Sequence, residues 1–181
     1  MDQKLVLISG VLIGLVLGLF FPVIASSLTT NVSEKESYVN TLHRFSFQPP
    51  VFSKKMILDN TEGELAQYFF NSSNGYFSLT VATQQGSVLS SALVEKLKVD
   101  YKRLLPDFVL LSEKNRVISV KPAYELIFSR SSSNGAITQK QIIVEKDNRL
   151  FSLTFTTPSN YFQAFNPSFE ESISTFQFTG A

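Results

Sequence analysis

The sequence predicts an α+β fold, an α/β/α sandwich around one antiparallel β-sheet, preceded by a single N-terminal transmembrane helix. Three observations carry that expectation. Leu5–Ala25 is an apolar run without a charge, long enough to cross a bilayer. From Phe45 onward, short segments of period-two alternation are joined by turn-forming stretches such as Ser72-Ser73-Asn74-Gly75, the signature of antiparallel hairpins. Between them, Ser87–Leu105 has the apolar spacing of an amphipathic helix.

Composition narrows the function classes. The chain has 181 residues, 16 basic and 15 acidic, for a net charge of +1. That near-neutral balance lacks the basic footprint of a nucleic-acid binder, so no nucleic-acid partner is expected. With no cysteine and one histidine, His43, thiolate and multi-histidine metal sites are excluded, as are a cysteine nucleophile and a lipidated cysteine.

The chain divides into a cytoplasmic tail (1–4), a signal-anchor helix (5–25), a polar linker (26–42) and a folded domain (43–179). As a helix, 5–25 would be about 31 Å long, against a hydrocarbon core of roughly 30 Å. It exceeds the ~7–15 apolar residues of a secretory signal. Cleavage after Val23-Ile24-Ala25 is the alternative, and would release the domain as a secreted product. Gly10, Gly14 and Gly18 recur at spacing four, a face on which two membrane helices can approach, although glycine is frequent in such helices anyway. Lys4 gives the short N-terminus a slight positive bias, so the domain is expected outside the cytoplasm of a cell membrane. The linker SSLTTNVSEKESY is polar and without apolar periodicity.

The elements follow in order. Phe45 and Phe47 alternate with polar neighbours until Pro49-Pro50 stops the strand. Ala66–Asn71 and Tyr76–Thr83 form a hairpin around Asn74-Gly75. In the helix over Ser87–Leu105, Leu89, Leu93, Leu97, Tyr101 and Leu104 make the sheet-facing stripe, with Ser87 as N-cap and Pro106 as terminator. Strands are expected at Phe108–Leu111, Val117–Val120, Tyr124–Arg130, Ala136–Glu145 and Leu150–Thr156. In the last, Phe151, Leu153 and Phe155 take the dry face and Ser152 and Thr154 the other. A helical turn runs from Pro158 to Phe165. Asn166 then caps a second helix, Pro167–Thr175. Phe176 and Phe178 close the chain with a short strand.

The last segment carries a family resemblance. Phe151, Phe155, Thr156, Pro158, Phe162, Pro167, Phe169, Ile173, Phe176 and Phe178 reproduce an apolar strand, a Thr-x-Pro, an aromatic helical turn, a Pro-x-Phe, an Ile-x-x-Phe helix and a terminal Phe-x-Phe. Together with the preceding order of elements, this resembles the PsbP-like family over about 43–179. The resemblance implies an α/β/α sandwich. Its members include an extrinsic photosystem II subunit, bacterial lipoproteins of the DcrB and LpqN kind, and a nuclear import factor that binds a small GTPase. They are mostly binding or assembly modules, so the resemblance implies a non-enzymatic role. The lipoproteins carry a lipidated cysteine that this chain lacks, and an apolar helix would take its place. The motif consists of core-packing residues, and no functional residue transfers.

Chemistry-bearing residues are sparse, and neither a catalytic nor a cofactor-binding residue is assigned. His43, at the start of the first strand, reads as an edge residue. Asp59-Asn60-Thr61-Glu62-Gly63-Glu64 resembles a calcium loop but places its glycine one position early; Asp59, Glu62 and Glu64 form at most a weak cation site. Glu170 and Glu171 are expected in the first turn of the last helix, where acidic side chains suit its dipole. Asn31-Val32-Ser33 and Asn71-Ser72-Ser73 match the glycosylation acceptor, relevant only in a eukaryotic secretory pathway. The reading is a membrane-tethered, extracytoplasmic, non-enzymatic protein-binding module of the cell envelope, without a cofactor. Its contacts would run along a sheet edge or a sheet–helix groove, with Tyr124, Arg130 and the 59–64 loop as guesses for contact residues. The alternative is an envelope protein that binds a small ligand or a calcium-type ion.

Overall fold

The computed structural model describes residues 37–56, 63–73, 75–86 and 88–180. The expected tail, membrane helix and most of the linker lie outside the described residues, as do Asp59, Glu62 and Ser87. The elements are β1 (Tyr38–Asn40), β2 (Phe45–Phe47), β3 (Lys54–Met56), β4 (Glu64–Ser72), β5 (Gly75–Gln85), α1 (Ser91–Leu104), β6 (Val109–Ile118), β7 (Lys121–Ser132), β8 (Gly135–Lys146) and β9 (Arg149–Pro158). A 3-10 turn (Ser159–Tyr161), α2 (Phe162–Ser174) and β10 (Gln177–Phe178) complete the chain.

Two antiparallel sheets replace the single one expected. The larger has the order β3-β4-β5-β9-β8-β7-β6; the smaller has the order β1-β2-β10. The second sheet exists because β10 returns alongside β2, with Gln177 opposite Ser46 and Phe178 opposite Phe45. It also draws Tyr38–Asn40, residues assigned to the linker, into the folded body, with Tyr38 opposite Phe47.

Alternation along the large sheet sorts side chains onto two faces. Phe77, Leu79 and Val81 of β5 and Leu153 and Phe155 of β9 point to one face. There they pack with Phe169, Ile173 and Phe176 from the α2 end of the chain and with Phe45 and Phe47 of the small sheet. Ring pairs knit this core: Phe155 lies 5.0 Å from Phe169 and 5.4 Å from Phe77, centre to centre. On the opposite face α1 lays Leu97 and Tyr101, with Leu105 just beyond it, over Leu126, Phe128, Ile143 and Leu150.

Several expected boundaries move, each for a physical reason. α1 is capped by Ser90, whose Oγ accepts from the Leu93 N–H at 3.2 Å. The preceding residue is held against the sheet, since the Leu89 N–H donates to Glu145 Oε2 at 2.7 Å. The stripe turns accordingly: Val94 and Tyr101 are buried while Leu104 is exposed. Asp100 is also buried, where Lys96 and Arg103 pair with it at 2.9 Å each. The strands expected at 108–111 and 117–120 are one, because the charges between them find partners on both faces; only a bulge between Leu110 and Ser112 interrupts the ladder. Pro167 lies inside α2 instead of opening a second helix. It removes one backbone donor, but Phe162, Phe165, Phe169 and Ile173 bind the helix to the core on both sides of it. Ser152 and Thr154 are buried too, so both faces of β9 are closed.

Glycine is required at one hairpin for space. At Gly75, φ is +121° and a Cβ would sit 2.8 Å from the Tyr161 ring.

Candidate functional site

The densest concentration of chemistry lies where the edge of the large sheet meets α2. The register places Lys114 opposite Glu125 and Arg116 opposite Ala123, and Glu125 opposite Ile142, so Lys114, Arg116, Glu125 and Lys140 share the α2 face. Arg116 Nη1 donates to Glu125 Oε2 at 2.6 Å; its Nη2 and Nη1 hold Glu170 Oε2 and Oε1 at 2.9 and 3.1 Å. Lys140 Nζ bonds Glu170 and Asn166 Oδ1 and stands 3.6 Å from Glu125 Oε2. Its ammonium also sits 5.8 Å from the centre of the Phe169 ring.

Two cations and two carboxylates thus neutralise one another beneath α2. The side chains of Glu125 and Lys140 are 1% and 4% exposed. Burial alone would raise the Glu170 carboxyl, but hydrogen bonds from Arg116 and Lys140 outweigh it and hold the group below the ordinary carboxylate range. Burial likewise works against the Arg116 charge, and the two glutamates more than reverse it. Lys114, 3.3 Å from Glu125 Oε1 and 58% exposed, is the surplus cation. Glu170 therefore does not sit in a first turn facing a helix dipole. α2 begins at Phe162, which places Glu170 mid-helix as an inward ion-pair partner, while Glu171 is exposed.

Outside this cluster β6 is an open edge. Among the described strands it pairs with β7 alone, and it leaves Val109, Leu111 and Val117 at 52%, 55% and 69% exposure. The cluster anchors this strand through Lys114 and Arg116. On its other face Lys98 of α1 holds Glu113 Oε2 at 2.9 Å, and the Tyr124 hydroxyl donates to the same oxygen at 2.8 Å. At the turn into β7, Val120 adopts φ +60°, a conformation that β-branched side chains resist.

The guessed residues are not brought together. Tyr124 supports β6 from the α1 face. Arg130 is 1% exposed and lies at the far end of β7, where burial lowers its pKa to about 10. Glu64 opens β4, and its side chain is not described. His43 occupies the turn before β2 rather than the strand; its backbone N–H donates to Asn40 Oδ1 at 2.8 Å, and burial followed by the charge of Arg149 lowers the imidazole pKa. Among the described residues no three His, Cys, Asp or Glu side chains gather as a metal site. The Arg116–Glu125–Lys140–Glu170 cluster was not visible in the sequence, where its members are separated by up to 54 residues.

A sheet-centred sandwich with α1 on one face and α2 and a small second sheet on the other belongs to the PsbP-like class of folds. Cyanobacterial PsbP (CyanoP) from Synechocystis sp. PCC 6803 aligns with a TM-score of 0.61 at 12% identity, covering 84% of this chain and 98% of that one. The PA94 protein of Pseudomonas aeruginosa aligns at 0.57 and 16%, covering 77% and 94%. LpqN of Mycobacterium tuberculosis, described as involved in cell envelope biogenesis, aligns at 0.54 and 12%, covering 75% and 83%. At these identities the likeness is one of fold. The chain belongs to the DcrB family, whose model matches residues 68–175, more than half of its length. No curated protein matches it in sequence.

Proposed function

We propose that this chain is a non-enzymatic binding module of the cell envelope, tethered to the membrane by residues 5–25 with its folded domain outside the cytoplasm, and that it engages another protein by adding a strand to β6. One observation carries the reading: β6 is a ten-residue edge strand with three exposed apolar side chains, braced from behind by ion pairs. An open edge of that length is a template for strand addition. The role of LpqN in envelope biogenesis supports the compartment.

The register disfavours a second copy as the added strand. Antiparallel self-pairing keeps like faces together, so when it is centred on residue 113, 114 or 115 it sets Glu113 against Glu113, Lys114 against Lys114, or Lys114 against Arg116. Like charges directly opposite are destabilising. The fitting partner is an extended segment with a carboxylate opposite Lys114 and apolar residues beside Val117.

Photo-crosslinkers placed at Leu111 and Val117, in full-length chain in its own membranes, test this against one at Val99, exposed on α1. The β6 positions should give one discrete adduct that an added Lys114→Glu substitution weakens several-fold, with none from Val99. Equal labelling from Val99, or no adduct from β6, rejects the reading.

A further inference from the structure

The face of the large sheet under α1 ends in a polar corner with an unbalanced charge. Arg130 of β7 lies in register with Ile137 of β8, and Ile137 with Pro158 of β9. One row inward, Phe128, Gln139, Thr156 and Ser78 lie side by side. The Arg130 Nε donates to Gln139 Oε1 at 2.7 Å, and Gln139 Nε2 in turn donates to Thr156 Oγ1 at 2.9 Å. Nη1 reaches Ser131 O only at 3.4 Å. Nη2 is buried without a partner among the described residues.

Both acceptors of this guanidinium are neutral, and no carboxylate among the described residues pairs with it. Asp107, close by through Ser131, accepts at its Oδ2 from the Ser131 hydroxyl at 2.6 Å. The end of α1 reaches the same corner, since Pro106 O accepts from the Ser131 N–H at 3.0 Å, but a helix terminus supplies only about half a negative charge. The contrast with Lys140, which has two carboxylates and an amide oxygen around it, is sharp. A buried cation without a counterion works against folding, and bonding to Gln139 does not require a charge.

We infer that Arg130 is the recognition group of a small-ligand site, taking an oxyanion, a carboxylate or phosphate group, on its Nη2 side. The guanidinium fork matches both geometries. Tyr76, half-buried on the same face of β5, lies close enough for its phenol and the guanidinium to influence one another's charge, and it offers a hydroxyl donor to the same anion.

The test melts the full chain in detergent micelles, beside R130Q, in sodium chloride, acetate and phosphate at one ionic strength. Phosphate stabilises folded proteins generally by exclusion from their surface, so the readout is the difference between the two chains. At tens of millimolar anion the wild-type midpoint should rise about 2–4 °C more than that of R130Q. A selective response to acetate identifies a carboxylate ligand, one to phosphate a phosphate ligand, and one to both a general oxyanion fork. Equal responses of the two chains overturn the inference. If R130Q does not fold, the wild-type Arg130 Nε–H resonance decides: a saturable shift with either anion upholds the site, and its absence overturns it.

Discussion

The two faces of the large sheet are closed by different chemistries. Towards α2 the covering is aromatic: Phe155 meets Phe77, Phe162 and Phe169, and Phe45 and Phe151 link the sheet to its small companion. Towards α1 the centre of the sheet is lined by amides and hydroxyls. Tyr101 donates to Gln141, Gln141 donates to Ser152, and Ser152 and Thr154 share a hydrogen bond. Both faces are dry, yet they fail differently. Ring packing loses energy in proportion to the volume removed, whereas a buried polar network loses it one unsatisfied group at a time.

Phe155→Ala breaks the comparison on its aromatic side. The residue is fully buried between three other rings, so the expected loss is about 3–5 kcal/mol, read from denaturant midpoints. A loss under about 1 kcal/mol would mean the aromatic face collapses around the gap.

Glu170→Gln tests the charge cluster set into that same face. It leaves Arg116 and Lys140 with half their carboxylates. The expected cost is about 2 kcal/mol, less than the ~3–5 of a fully buried pair because Glu170 is one-third exposed. Its pH dependence has a definite sign. Because the folded carboxyl titrates below its unfolded value, the pairing is fully present above about pH 4.5 and disappears as pH falls through the lowered value. The gap between wild type and E170Q should therefore close on acidification; a gap constant from pH 7 to pH 3 would remove the ion pairs as its cause.

Tyr101→Phe sharpens the polar side at the smallest cost. It deletes one hydroxyl and leaves Gln141 Oε1 buried without its donor while Gln141 Nε2 keeps Ser152, for about 1 kcal/mol, the low end for an unsatisfied buried acceptor. An increase in stability would show that the amide rows contribute less than their burial implies.

Much of the architecture was legible because it depends on short-range pattern. Alternation in LFSLTFT, the paired Ser-Asn-Gly turns and the Leu93–Leu97–Tyr101 spacing each encode an element within a dozen residues. The errors arose where a distant partner overrode local signal. Ser-Glu-Lys-Asn-Arg over 112–116 reads as a loop until Glu125 and Lys98 supply counterions on both faces. Asn166-Pro167 reads as a helix start until Phe162 and Phe165 pack ahead of it and Lys140 takes the Asn166 side chain. The candidate edge was anticipated only as a category of contact, since no sequence pattern says which strand will be outermost.

Period-two and period-3.6 apolar spacing, turn chemistry and the phenylalanine signature of residues 151–178 were sufficient to specify an antiparallel sheet flanked by helices, because each is set by backbone geometry over a few residues. The second sheet, the Arg116–Glu125–Lys140–Glu170 cluster, the solitary charge of Arg130 and the exposure of β6 arose only when remote strands came into register. A side chain's partners and its burial are properties of the assembled layers, and the same arginine is a solvated charge or an unpaired one according to what folds over it.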